Sequence, residues 1–356
     1  MRKNIICFID DLCLGGAQRQ LVGLAKLLMQ RGYNVRLCTY HNDGFYVDAV
    51  KDLDICYDYE NKMESAFKRI PEFIRYLKRI SPDVIISYIE SPCIISCISK
   101  IIYPHFKLIV SERNTSQQNG LRETLRFNLY RVADYIVPNS YSQEQFIRDN
   151  YHFLSEKVTT ITNFVDTDKF IPGDGNIDKT IISVGRITPQ KNILNYIKAV
   201  RRIKDRGLNI RFQWYGDTDN VVYQEECIEL LKNLHLMDCF TFLPATKDIL
   251  SVYQTAFALC LPSTYEGFPN VVCEAMSCGL PILCGAVCDN PSIVSEKENG
   301  FLFKPESIES ITKSIESLCL LDEDNLKRIR TNNREKAVRE FSKNNFIEKY
   351  IQLIEK

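Results

Sequence analysis

Short apolar runs alternate with amphipathic, helix-like stretches along almost the whole of this 356-residue chain. That alternation constrains the fold more than any other feature. Strands buried on both faces read as continuous apolar runs, and helical crossovers carry each parallel strand to the next. Residues 3–9, 34–39, 83–87, 107–111, 135–137 and 158–161 read as strands, with a weak one at 52–57. Helices are expected from Gly16 to near Arg31 and at 64–80, 94–102 and 121–132. The pattern lapses between Asn163 and Lys179, where Asp166, Asp168, Pro172, Gly173, Asp174 and Gly175 make a linker. A second series follows, with strands at 180–184, 210–215, 239–243, 256–261 and 281–284. Its helices are expected at 192–206, 221–234, 249–255 and 271–278, and residues 307–356 read as helical almost throughout. The spacing predicts an α/β chain of two doubly wound, Rossmann-like domains facing a central cleft.

Lysine plus arginine balances aspartate plus glutamate at 45 each, so no global charge points to nucleic acid. Cations do cluster locally. Lys62, Lys68, Arg69, Arg75, Lys78 and Arg79 share one helical stretch, and Arg113, Arg122, Arg126 and Arg131 another. Phe67, Ile70, Phe73, Ile74 and Leu77 add an apolar stripe to the first. The 62–80 and 113–131 segments fit either core-packed helices with a wet face or contact with anionic lipid. Arg2 and Lys3 precede only a short apolar run that Asp10 and Asp11 break, so no signal peptide is expected. No window reaches the length of a membrane span. The 14 cysteines lie scattered through apolar segments, which fits a reducing cytoplasm. Cys93/Cys97 and Cys284/Cys288 lack histidine partners, so no metal site is expected.

The chemistry concentrates between Glu266 and Gly279, in a strand–loop–helix–strand stretch. Asn270 is placed to cap the helix, and Gly279 and Pro281 to end it. Glu266 falls at the carboxyl end of a strand and Glu274 one turn into the helix. Ligands bind at that end of open α/β sheets, and free N–H groups of a helix start suit phosphate. In isolation the two glutamates read equally as solvated loop and helix residues. Upstream, Gly185-Arg186 and Lys191-Asn192 follow another strand, where a guanidinium fork and a mobile ammonium could clamp a diphosphate or simply flank a helix start. Gly15-Gly16 at the first strand–helix junction fits a tight turn or a phosphate contact. Asp217 and Asp219 read as a turn and helix cap, with a divalent metal as the alternative.

Taken in order and spacing, these residues resemble the family-4, or group 1, retaining glycosyltransferases of the GT-B fold. The resemblance rests on Glu266 and Glu274 as an E-x7-E pair, on Gly185-Arg186 with Lys191-Asn192, and on the linker Thr162–Asp166. Gly15-Gly16-Ala17, Tyr215-Gly216-Asp217 and Asn299-Gly300 add to it. It implies an N-terminal acceptor-side domain over 1–170, a nucleotide-sugar-binding domain over 171–335, and a final segment, 336–356, returning to the first domain. Glu266 would contact donor-sugar hydroxyls, and Glu274 the ribose. Arg186 and Lys191 would clamp the diphosphate, with N–H groups from Gly267, Phe268, Asn270 and Val271. Gly15 and Gly16 would approach it from the first domain, and Pro244 and Ala245 would lie against the base. Gln18 departs from the glutamate many members carry. Where many have a histidine after the fifth strand, this chain has Glu112 and Arg113, which become the local catalytic candidates. The implied activity is retaining, metal-independent and cofactor-free hexosyl or N-acetylhexosaminyl transfer. The donor would be a nucleotide sugar, UDP favoured over GDP, and the acceptor a glycan or polyprenyl-diphosphate-linked glycan in surface polysaccharide assembly. The expected location is the cytoplasm, with peripheral contact at the inner face of the cell membrane left open. A GT-B-fold sugar-nucleotide epimerase and a non-catalytic nucleotide-sugar-binding protein are the alternatives.

Overall fold

The computed structural model describes residues 2–42, 44–113, 120–174 and 178–356. They form two compact units, Met1–Phe164 with Lys343–Lys356, and Val165–Ser342. The first unit alternates β1 (Asn4–Phe8), α1 (Gly16–Gln30), β2 (Asn34–Thr39), α2 (Val47–Asp52), β3 (Cys56–Tyr59), α3 (Arg69–Ile80), β4 (Val84–Tyr88), α4 (Glu90–Ile102), β5 (Lys107–Ser111), α5 (Leu121–Leu129), β6 (Tyr135–Ile136) and α6 (Tyr141–Asn150). The strands make a parallel sheet in the order β3-β2-β1-β4-β5-β6. The order reverses between β1 and β4, whose pairing runs from Ile5↔Val84 to Phe8↔Ser87.

The second unit runs β7 (Thr180–Val184), α7 (Ile193–Asp205), β8 (Arg211–Tyr215), α8 (Val221–Asn233), β9 (Phe240–Leu243), α9 (Ile249–Thr255), β10 (Ala258–Leu261), α10 (Asn270–Ser277), β11 (Ile282–Gly285), α11 (Asn290–Ile293), β12 (Gly300–Phe303), α12 (Ile308–Cys319) and α13 (Glu323–Phe341). Its sheet order is β12-β11-β10-β7-β8-β9, reversing between β7 and β10. The last helix, α14 (Lys343–Glu355), belongs to the first unit. There Phe346, Ile347, Tyr350, Leu353 and Ile354 enter the core with Ile5, Leu24 and Leu28.

Several local expectations change. Residues 158–161 form no strand; only Val158 bridges Ile136, because Thr159 and Ile161 hydrogen-bond to loop as well as strand carbonyls. Helix α3 starts at Arg69 rather than 64, after a 3-10 turn at Asn61–Met63, and Pro71 sits in its first turn, where a missing N–H costs no helix bond. Phe67 lies outside that helix and is 95% exposed, so it is not part of the packed stripe. Asp52 ends a helix instead of opening a strand. Residue 336 falls within α13, whose Asn333 donates to Leu280 and Asn299 carbonyls, so the chain leaves the second unit only at Ser342.

Candidate active site

In the second unit the sheet's reversal sets the exits of β7 and β10 side by side, which is where open α/β sheets hold ligands. The two exit loops are stitched together. Thr264 N–H donates to Gln190 O at 2.9 Å, and Gln190 Nε2 to Tyr265 O at 2.8 Å. Asn192, in the left-handed conformation that asparagine tolerates, donates to Pro262 O and Pro305 O at 3.1 and 2.7 Å. Across this seam Lys191 Nζ meets Glu266 Oε1 at 2.6 Å, with side chains only 15% and 11% exposed. A Cβ on Gly185 would stand 3.1 Å from Lys191 Cε, so the glycine leaves the room the lysine occupies.

The neighbouring β8 exit supports the same loop. Trp214 Nε1 donates to Gly185 O at 2.8 Å, and Ile187 N–H to Asp217 O at 2.9 Å. A Cβ on Gly216 would lie 2.0 Å from Gly185 O, so only glycine permits this backbone approach. Asp217 Oδ1 accepts from Ala245 N–H at 3.1 Å, which ties the exposed Pro244-Ala245 loop to the site. Asp219 pairs with Arg186 at 3.2 Å, both largely exposed. The two aspartates thus serve the turn and the arginine.

Helix α10 opens with Pro269 as cap residue and Asn270 as its first helical residue; no side chain caps it. Asn270 is therefore not the cap, because its own N–H is turned to Phe268 O at 2.9 Å. Among the described residues, no group accepts from the N–H of Gly267, Phe268 or Val271. Phe268 anchors the loop by packing edge-on to Phe341, 5.9 Å between centroids. Glu274, 6% exposed, accepts from Tyr253 OH at 3.3 Å. Tyr253 carries no local signal in the sequence, being a core tyrosine 21 residues from Glu274. Gly279 ends the helix at φ +75°.

The expected residues of the first unit are built differently. Gly15 caps α1 in extended conformation and Gly16 opens it. Gln18 Nε2 donates to Asp11 Oδ1 at 3.0 Å, a bond that a glutamate at 18 could not donate. Glu112 is buried, accepts from Tyr130 OH at 2.6 Å and pairs with Arg126 at 3.5 Å. Burial pushes its carboxyl above the usual range, and Arg126 opposes the shift. Arg113 donates to Asn163 Oδ1 at 2.9 Å and Tyr350 OH at 2.8 Å, and stacks 3.7 Å over the Tyr88 ring. Both candidates are therefore bonded into the unit's framework, Arg113 between linker and final helix. The neighbouring Asn114 lies outside the described residues.

Two family models match consecutive parts of the chain: Glycosyltransferase Family 4 over residues 14–169 and Glycosyl transferases group 1 over 165–336. A Campylobacter jejuni GalNAc-alpha-(1->4)-GalNAc-alpha-(1->3)-diNAcBac-PP-undecaprenol alpha-1,4-N-acetyl-D-galactosaminyltransferase is 24% identical, covering 99% of this chain and 98% of its own. The Erwinia amylovora amylovoran biosynthesis glycosyltransferase AmsD is 22% identical over 88% and 90%. Among solved structures, Anabaena Alr3699/HepE in complex with UDP superposes with a TM-score of 0.87 at 19% identity, covering all of both chains. The paired six-stranded parallel sheets and both family models agree: the chain is a glycosyltransferase of the GT-B fold and belongs to the group 1, family 4 glycosyltransferases.

Proposed function

We propose that the chain is a retaining, metal-independent transferase moving a hexose or N-acetylhexosamine from a UDP-sugar to a polyprenyl-diphosphate-linked glycan. The observation that carries this is the Lys191–Glu266 pair at the β7/β10 reversal, beside the N–H groups of Gly267, Phe268 and Val271. Lys191 has three N–H donors, so it can keep Glu266 oriented toward sugar hydroxyls and still reach a phosphate oxygen. As the C1–O bond breaks, positive charge grows on the sugar and negative charge on the leaving diphosphate. Fixed donors aimed at that growing charge lower the barrier without reorganising. Arg186 reaches the same phosphates by leaving Asp219, an exposed partner that holds it weakly. These cations take the place of a divalent metal. The leaving phosphate accepts the proton of the acceptor hydroxyl on the same face, which retains configuration. Glu274 and Tyr253 hold the ribose, and Pro244-Ala245 flanks the base. Glu112 and Arg113 act as positioning residues.

The UDP donor is supported by the UDP-bound Anabaena neighbour, and the acceptor by relatives named for undecaprenyl-linked glycans. The test is turnover of a panel of UDP- and GDP-sugars with a synthetic polyprenyl-diphosphate glycan, with and without EDTA, and with product anomers read by NMR. Retained configuration with a UDP-sugar is expected. Inverted product, or activity abolished by EDTA and restored by Mn²⁺, contradicts the mechanism.

A further inference from the structure

Three neighbouring strand exits meet at Glu266. The sheet order sets β11, β10 and β7 side by side, so the loop after β10 has one neighbour on each flank. On the β7 flank several bonds hold it: Thr264 N–H to Gln190 O, Gln190 Nε2 to Tyr265 O, and Lys191 Nζ to the Glu266 carboxylate. On the β11 flank the Glu266 N–H donates to the sulfur of Cys288 at 3.4 Å. Lys191 orients the carboxylate, and Cys288 holds the backbone that carries it. Two side chains from two other strand exits thus restrain one glutamate. A thiol sulfur is a weak acceptor, so the β11 side is the softer of the two restraints.

Cysteine is an unusual residue for the backbone at this position. Cys288 has φ +48°, in the left-handed region that side chains other than asparagine and aspartate rarely enter. The turn around it imposes that conformation. Ala286 N–H donates to Phe303 O at 2.7 Å, Val287 N–H to Gly285 O at 2.8 Å, and Asn290 N–H to Val287 O at 3.0 Å. Asn290, fully buried, also donates from Nδ2 to Gly285 O at 2.8 Å. Both ends of the turn are fixed, and residue 288 closes it. Glycine would adopt this backbone without strain but would bring no sulfur to Glu266. Strained residues persist where their surroundings over-determine them, and they cluster at ligand sites. The thiol is half-buried, and burial pushes its pKa up. It therefore stays protonated and sets no second negative charge beside Glu266, which suits it to hold the loop and not to react as a thiolate.

We propose that Cys288 is a positioning residue: its sulfur fixes the Glu266 backbone and so sets how the donor's sugar, rather than its nucleotide, is held. The consequence for the sugar rests on the proposed donor reading; the hydrogen bond itself does not. The test compares Cys288→Ala, Cys288→Gly and Cys288→Ser with wild type in three measurements. These are amide hydrogen exchange at Glu266, calorimetric affinity for UDP, and kcat/KM for the UDP-sugar that the donor panel selects. In Cys288→Ala the Glu266 amide exchanges at least about threefold faster and kcat/KM falls about threefold to tenfold, the size expected for one neutral hydrogen bond, while UDP affinity stays within about twofold. Cys288→Gly shows the same losses with a melting temperature no lower than that of wild type, because glycine relieves the backbone. That separates positioning from stability. Cys288→Ser, whose hydroxyl accepts the same bond, recovers both slow exchange and kcat/KM. Unchanged exchange at Glu266 in Cys288→Ala overturns the proposal. So does a loss of UDP affinity equal to the loss in kcat/KM, or a serine variant as impaired as the alanine one. Wild type that turns over no nucleotide sugar counts against the proposed function, and exchange at Glu266 still decides the contact.

Discussion

Two ion pairs flank the β7 exit, and their surroundings separate them. Lys191–Glu266 is enclosed, and Arg186–Asp219 is more than two-thirds exposed on both sides. Exposed pairs contribute about 0–1 kcal/mol, whereas stranding a buried carboxylate costs about 3–5 kcal/mol. Urea denaturation of Asp219→Asn is expected to match wild type within about 0.5 kcal/mol. Lys191→Met is expected to lose about 2–3 kcal/mol, a smaller cost than for full burial because Glu266 keeps some solvent. Equal effects for the two variants would contradict the difference in environment. Glu112 provides a pH test. Its folded-state pKa is raised, so the native state binds the proton more tightly than the unfolded chain does. The resulting stabilisation is full below the unfolded value, about 4.3, and is lost as pH rises through the higher folded one. The melting temperature of Glu112→Gln minus that of wild type is therefore expected to increase from about pH 4 toward neutrality; a decrease would reverse the assignment. The strand-exit positions of Arg186, Lys191 and Glu266 and the helical position of Glu274 were legible in the sequence because glycine, strand end and helix start are local signals. Their partners were not. Tyr253 lies 21 residues from Glu274 and Asp219 lies 33 from Arg186, and only the folded sheet brings them together.

At the level of elements, strand ends carry the site and glycines set how closely they pack. Gly216 lies where any Cβ would collide with Gly185 O, and that carbonyl also accepts from Trp214. Gly216→Ala is expected to cost about 1–3 kcal/mol by overpacking and to move the Arg186–Lys191 loop. The kinetic signature is a raised KM for the proposed nucleotide-sugar donor together with a reduced kcat, and steady-state kinetics at wild-type values would show that the loop tolerates the shift. Central strands such as β2, β5 and β7 were read to the residue, because a short apolar run bounded by polar residues admits few registers. Helices α2, α6 and α11 and strand β12 are absent from the sequence reading, α6 despite its Ser140 cap. Helix α2 is only six residues long, with Val50 its one buried residue. Strand β12 contains Gly300, whose missing Cβ allows Ile282 O to approach, so its sequence resembles a turn.

Over the whole molecule the first unit is discontinuous in sequence: it is completed by residues that follow the second. Arg113 and Gln20 fix that return. Arg113 joins Asn163 to Tyr350, and Gln20 exchanges two hydrogen bonds with Phe164 at 2.9 and 3.0 Å. A chain ending at Ser342 exposes the positions that Phe346, Ile347, Tyr350, Leu353 and Ile354 fill. At about 1.5–3 kcal/mol each, the loss is about 10 kcal/mol, comparable with the whole stability of a domain. Such a chain is expected to lose the protease resistance of residues 1–164 and to keep that of 165–342; full resistance of both would contradict the role given to α14. The two-fold alternation and the linker made this architecture legible, whereas the boundary at 336 falls inside α13, because residues 307–356 read as helical almost throughout. The most direct test of the donor site is calorimetric titration of UDP into wild type and into Arg186→Ala with Lys191→Ala. Saturable 1:1 binding by wild type is expected, weakened at least about tenfold in the double variant, since each cation–phosphate hydrogen bond contributes about 1.5–3 kcal/mol. Equal affinity in the two proteins would contradict the placement of the diphosphate at the β7/β10 reversal.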